Sequence, residues 1–507
     1  MSIPRIIRLH ADDNVVVAAD TLTAGTLINA EGVTCREQIP AGHKLATRTI
    51  TAGAPIYKYS QIIGFATAEI PPGSHVHSHN CGVHDFQRDY AVGAGCRHSE
   101  PLPQKERAVF QGIVRADGRV ATRNYIGVLS TVNCSATVCR QIAAQFTGPA
   151  LSDFPNIDGV VPLVHNTGCA MAASGEGYDT LMRTLRGYLR HPNFAGILLV
   201  GLGCEVFQIS DILGTDQASG EPMLQHLNIQ GQGGTRKAIA AGVERIHGML
   251  NVANSISRQS VSASHLKVAL QCGGSDAYSG ITANPALGAA ADLVVRHGGT
   301  AILAETSEIY GAEHLLTRRA TSEQVAAKLV ERIHWWEDYT RRNGGEMNNN
   351  PSPGNKAGGL TTILEKSLGA VSKGGTSALV EVYRYAEPIT ASGLVFMDSP
   401  GYDPCSITGE VASGANIVCF TTGAGSAYGC RPSPSIKLVS NSRTFALMEE
   451  DMDINCGVML DSGVSLADMG EQIFQCILEV ASGRQTKSET LGVGDSEFIP
   501  WNIGAVM

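Results

Sequence analysis

Apolar and polar positions follow two different rhythms along this chain. In residues 1–80, short β-type runs alternate with a recurring phrase: Leu22-Thr-Ala-Gly25, Ile39-Pro-Ala-Gly42, Ile50-Thr-Ala-Gly53 and Ile70-Pro-Pro-Gly73. An apolar residue followed two positions later by Ala or Pro, then by Gly, marks a strand end entering a tight turn. Four such units predict a small all-β module, ending in His75-Val-His77-Ser-His79-Asn80. Residues 81–105 have no periodicity and mix Gly, Pro and charge, which predicts an extended linker.

From about residue 106 the rhythm becomes that of βα units. Apolar runs at 125–132, 159–164 and 196–202 alternate with helix-like stretches at 135–146 and 178–189. A second block opens near residue 266 and continues through apolar runs at 301–304, 379–382, 393–397, 416–420 and 436–439. An amphipathic helix is predicted over 322–343, with Trp335 and Trp336 as packing residues. Alternating strands and helices imply mainly parallel sheets. The expected division is an all-β domain (1–80), a linker (81–105), a central α/β domain (106–260) and a C-terminal α/β domain (261–507).

Composition narrows the function classes. A chain of 507 residues exceeds one ordinary core. A net charge of −9 argues against nucleic-acid or anionic-membrane partners. No apolar run approaches the roughly 20 residues that span a bilayer. The thirteen cysteines are odd in number and scattered, without a CxxC or a disulfide framework. The N-terminus lacks a signal-peptide core, so a reducing cytoplasm is the expected compartment. Fifty-seven glycines, many in short loops, suit close approach of backbone to a small ligand.

Strand ends carry the candidate chemistry. Cys134, Cys169 and Cys204 each follow an apolar run of the central domain, where loops converge at the carboxyl edge of a parallel sheet. Three thiols there suit a soft metal with one open coordination position. The alternative is three small residues closing strand ends. His165 is a general acid/base candidate beside Cys169. In the C-terminal domain, Ser275 and Asp276 follow one strand, Glu305 and Glu308 the next, and Thr422 and Ser426 lie in a Gly-rich loop. Asn355 and Lys356 sit in a Pro/Gly-rich loop that constrains backbone and so positions something. His75 and His77, alternate residues of an extended run, share one face with His79 and form a metal or acid/base patch. No GxGxxG follows the first strand of either block, which disfavours an NAD-linked oxidoreductase.

Longer phrases carry a resemblance. HVHSHN after the four turns is similar to the end of an SAF domain. GIVRADGRVATRNY (112–125), GLGCE (201–205), LQCGGSDAYSGITANP (270–285), NPSPGNKAGGLTTILEKSLG (350–369) and FTTGAGSAYG (420–429) resemble the altronate/galactarate dehydratase family, on its altronate side. Ala424 departs from the family's usual arginine, a residue suited to a substrate carboxylate, and Cys456 departs from the expected Ala or Gln. The resemblance implies a multi-domain α/β protein with an N-terminal β-clip (SAF) domain, a central dimerisation domain and a C-terminal Rossmann-like parallel-sheet domain. It also implies a homodimeric iron- or manganese-dependent lyase acting on a hexonate or hexarate. On that basis iron is expected at Cys134, Cys169 and Cys204, as Fe2+ or as an Fe–S cluster with one open iron, with His75 and His77 as extra ligands or a lid. His165, Lys356 and Asp276 are the expected catalytic residues; Ser275, Asn355, Glu305, Thr422 and Ser426 are expected to hold substrate. A galactarate dehydratase and a non-catalytic sugar-acid sensor are the other readings.

Overall fold

The computed structural model describes residues 4–84, 88–97, 100–214 and 223–504. The N-terminal domain is built on antiparallel pairing. One sheet orders the strands Ile6–Ile7, Val15–Ala18, Lys44–Ala46 and His75–Val76; another orders Pro55–Lys58, Gln61–Ala66 and Cys81–Gly82. The four turn glycines, Gly25, Gly42, Gly53 and Gly73, all have φ near +80°, a conformation a β-carbon disfavours. The apolar residues opening those phrases pair across the domain, Leu22 with Ile39 and Ile50 with Ile70. Cys81–Gly82 pairs with Phe65–Ala66, so this domain continues just past residue 80.

The described residues after it are anchored to the C-terminal domain. Arg88 and Tyr90 both reach the buried carboxylate of Glu313, and the Leu102 N–H donates to Arg296 O. Val109–Val114 then pairs antiparallel with Gln259–Ser262, closing the central domain at both ends.

The central domain is a parallel sheet of Gly159–Leu163, Tyr125–Ser130, Phe194–Gly201 and Met223–Asn228, in that spatial order. The inner strands are buried along their whole length and almost wholly apolar, because helices Ala136–Ala143, Glu176–Leu189 and Thr235–Ala253 cover them. Met223–Asn228 is a half-exposed edge strand whose polar alternation gives no continuous apolar run.

The C-terminal domain has a seven-stranded parallel sheet, ordered Leu379–Tyr383, Gly393–Met397, Thr300–Leu303, Lys267–Cys272, Ile417–Thr422, Ser435–Val439 and Ile454–Asn455. From Lys267–Cys272 the chain builds first to one side and then, from Ile417, to the other. Open α/β sheets bind ligands at such a reversal, outside the strands' carboxyl ends. Helix Glu323–Arg342 starts with Ser322 capping the Val325 N–H. It places Trp336 in the core, stacked on Trp501 with its Nε1–H donating to Asp398. Among the described residues, no helix is long and apolar enough to cross a membrane.

Candidate active site

The reversal point lies between Gly273–Asp276 and Gly423–Ser426. The N–H groups of Gly423 and Ala424 both donate to Gly274 O, at 3.1 and 2.9 Å. A β-carbon on Gly423 would fall 2.3 Å from Asp276 Cγ, so only glycine lets the loops close. Asp276 is almost wholly buried. Its Oδ1 accepts from Ser279 N–H (2.8 Å), Ser279 Oγ (2.9 Å) and Ser440 Oγ (2.8 Å), and its Oδ2 from Asn441 Nδ2 (3.1 Å). Burial raises its proton affinity even against these donors.

Asn355 donates to Ser275 O at 2.8 Å, tying the 352–359 loop to this strand end, while its Oδ1 completes a capping box with Ser352. Lys356 is half-buried on the same loop. Thr422 Oγ1 accepts from Gly425 N–H and Ser426 Oγ from Tyr428 N–H, so both hydroxyls shape the Gly-rich loop.

The N-terminal domain roofs this loop. His77 Nε2 shares a hydrogen bond with Lys356 O (2.9 Å), and His43 Nε2 with Ala357 O (3.2 Å). His43 Nδ1 lies 2.9 Å from His75 Nε2. Burial and then the neighbouring imidazoles push His75 down to about 3, which keeps the group neutral at ordinary pH. His75 and His77 therefore face His43 and a backbone carbonyl in the described structure. His43 was not singled out from sequence, because it stands alone in its segment.

Behind the roof, Lys44 and Lys58 both donate to Glu365, at 2.8 and 2.9 Å, and all three are buried. Lys44 also donates to Gly359 O (2.7 Å). Burial alone would raise the Glu365 carboxyl, but the two lysines hold it well below the usual carboxylate range. A cavity with room for about one water molecule lies between Tyr59, Ser275, Asp276, Glu365 and Lys366.

Glu305 belongs to a separate buried group rather than to a substrate surface. Its carboxylate accepts from Lys373 (2.9 Å), which also lies 3.0 Å from Cys272 Sγ. Glu308 accepts from Lys366 (2.7 Å) and Asn350 (2.8 Å). Burial raises Glu305 despite Lys373 and raises Asp403 beside it, whereas Lys366 and Lys373 overcome burial at Glu308 and lower it. Cys272, Glu305 and Glu308 have ligand atoms close enough to hold one ion. The Lys373 ammonium already supplies a cation there, so this donor set fits an added divalent ion poorly.

The remaining sequence candidates gather in the central domain. Cys134, Cys169 and Cys204 are all exposed, on the loops following three adjacent strands. His165 Nε2 pairs with Ser130 O (3.0 Å), and its Nδ1 accepts from Thr167 N–H (3.3 Å). With both nitrogens engaged and burial pushing it down to about 4, His165 clamps the loop that bears Cys169 rather than offering a free base. Among the described residues, no hydrogen bond joins this group to the one around Asp276. Three soft sulfur donors do fit iron.

Comparison with known proteins matches this architecture domain by domain. Residues 4–84 match the altronate/galactarate dehydratase SAF domain, 112–254 the second domain of D-galactarate dehydratase/altronate hydrolase, and 263–506 the C-terminal domain of D-galactarate/altronate dehydratase. The chain is 36% identical to altronate dehydratase of Escherichia coli (strain K12) over 485 residues, covering 95% of this chain and 96% of that protein. It is 36% identical to galactarate dehydratase (L-threo-forming) of the same organism over 487 residues, covering 94% and 93%. Altronate dehydratase of Bacillus subtilis (strain 168) is 32% identical over 487 residues, covering 95% and 96%. On these three domain matches and this near-complete coverage, the chain belongs to the D-galactarate/altronate dehydratase family.

Proposed function

We propose that this chain is a hydro-lyase that dehydrates a sugar acid, taking D-altronate to 2-keto-3-deoxygluconate at the reversal point of the C-terminal sheet. The observation that carries the reading is Asp276: a buried carboxylate whose position is fixed by four donors, beneath a roof of neutral imidazoles and beside cationic side chains.

Loss of water from an aldonate poses two problems. The C2 proton lies next to a carboxylate and is weakly acidic, and the 3-hydroxyl leaves poorly without a proton. Asp276, with its proton affinity raised by burial, and Lys356, at the edge of the same loop, are the proposed proton-transfer pair. Ser275 and Asn355 set the loop against which substrate hydroxyls lie, while Thr422 and Ser426 shape the facing wall. The cations Lys44, Lys58 and Lys366 favour an anionic ligand. His75 and His77, with His43, exclude water and hold the Lys356 backbone in place. Iron, with manganese as the alternative, would be held by Cys134, Cys169 and Cys204, where it would supply a Lewis acid for an oxygen ligand. The working form is proposed to be a homodimer in the cytoplasm.

The test is turnover of D-altronate by purified enzyme, read as 2-keto acid formation. Equal identity to a galactarate dehydratase makes a hexarate the second reading. Side-by-side kcat/KM values on altronate and galactarate separate the two. Thermal stabilisation by either acid without a keto product overturns both in favour of a sensor.

A further inference from the structure

A cleft opens between the central domain and the last segment of the chain. Its volume is about 250 Å³, against about 10 Å³ beside Asp276. One wall is the turn Asn133–Ser135 with the start of helix Ala136–Ala143, joined by residues 164–166 at the next strand end. The other wall is the tail, residues 496–502. The strands that carry the first wall, Tyr125–Ser130 and Gly159–Leu163, pair in parallel. The cleft therefore lies outside their carboxyl ends, where open α/β sheets take ligands.

Both walls are held in place by the fold itself. The Phe498 ring meets Tyr188 edge-on, 4.6 Å between centroids, and the Ile499 N–H donates to Thr408 Oγ1 at 2.9 Å. Trp501 stacks on Trp336, and a β-carbon on Gly177 would meet Ile503 O at 2.1 Å. The tail thus rests on helices Glu176–Leu189 and Asp403–Ala412. On the facing side, His165 is engaged at both ring nitrogens and fixes the loop. Asn502 Nδ2 donates to Asn166 Oδ1 across the rim at 3.2 Å.

The lining carries a single charge. Arg140 is exposed and has no hydrogen-bond or ion-pair partner for its side chain among the described residues. His165 is neutral at ordinary pH, and no carboxylate lines the cleft, in a chain of net charge −9. Asn133, Asn166, Ser496 and Asn502 add uncharged donors and acceptors; Val164 and Ile499 add apolar surface. A guanidinium matches a carboxylate with two parallel N–H groups, while carboxamides and a hydroxyl suit a polyol. One cation balances one carboxylate. A phosphate group, with a charge of about −1.5 to −2, asks for more.

We infer that this cleft is a second binding site, which takes a small polyhydroxy monocarboxylate. The carboxylate lies on Arg140, the hydroxyls on the asparagines and Ser496, and the carbon chain along Val164 and Ile499. The cleft shares no lining residue with the cavity beside Asp276, and filling it requires neither a metal nor the proposed dehydration.

Hydrogen–deuterium exchange of the full-length protein with D-altronate reads the occupancy. Peptides covering 133–140 and 496–502 should gain protection, in Asp276→Asn as in the wild type. Arg140→Gln should keep the wild-type melting temperature, because no described partner depends on that side chain. It should raise the altronate concentration needed for protection about tenfold, the loss of one charge-assisted contact, and Arg140→Lys should recover part of it. The alditol of the same carbon chain and inorganic phosphate should protect neither peptide. Unprotected peptides, equal protection by the alditol or by phosphate, or protection indifferent to Arg140→Gln each overturns the second site. Dehydration without protection of the cleft overturns the second site alone. A protected cleft in a protein that forms no keto acid refutes the proposed activity and leaves the second site standing.

Discussion

Lys44 of the N-terminal domain donates to both oxygens of Glu365, at 3.0 and 2.8 Å, across 321 residues of chain. Lys58 shares the Oε1 atom at 2.9 Å. Two cations against one anion in a buried joint make Glu365 the least replaceable of the three. Glu365→Gln should destabilise the protein by about 3–5 kcal/mol, because it leaves two buried ammonium groups without a counter-charge. Chemical denaturation read by tryptophan fluorescence measures the loss.

The same residue sets an acid limit. The folded Glu365 titrates below its unfolded value, so its stabilisation is complete above the ordinary glutamate range, about 4.3, and drains as pH falls below it. Protection of the amides in 43–46 and 355–365, taken relative to their intrinsic exchange rates, should fall as pH drops from about 5 to 3, before that of the central-domain sheet. Loss of protection in this joint and in the central sheet at the same pH refutes the assignment.

Asp276→Asn keeps the shape and the Ser279 and Ser440 contacts but removes the charge. It should lower kcat on the sugar acid by about 10²–10⁴-fold, with a small change in melting temperature. A variant with wild-type kcat would move the chemistry away from this strand end.

Gly423→Ala tests the geometry of the same place without touching a charge. The added methyl would have to displace Asp276 or the 423–426 loop, at a cost of about 1–3 kcal/mol. Turnover should fall much further than stability, as kcat and thermal unfolding on one preparation will show.

Thiol reagents should count the exposed cysteines. Metal-free native protein is expected to modify three thiols rapidly, at Cys134, Cys169 and Cys204, and the buried ones only on denaturation. Mass spectrometry of the labelled peptides identifies them, and iron loading should protect all three.

What could be read in the sequence was local. LQCGGSD announces an apolar strand, two glycines, a hydroxyl and a carboxylate, and the structure puts Ser275 and Asp276 at the end of strand Lys267–Cys272. The four glycine turns were equally legible, since a left-handed turn is written in one short phrase. Charges whose partners are remote were not. Lys44 opens the short strand Lys44–Ala46 and Lys58 ends the alternating strand Pro55–Lys58, and nothing nearby shows that Glu365 will cover them. His165 looked like an available base because its captors, Ser130 O and the Thr167 N–H, are backbone groups that carry no sequence signal. Glu305 looked open at a strand end but is sealed by Lys373, which caps the end of helix Ile363–Ser372 about 70 residues later.

The space beside Asp276 admits little more than a water molecule, and Tyr59 of the N-terminal domain forms part of its wall. On the proposed function a six-carbon acid would need more room there, and Lys44, Lys58 and Glu365, which bind the N-terminal domain to the 359–365 segment, would resist any widening that supplies it. Tightening those contacts would make the molecule hardier and slower at once.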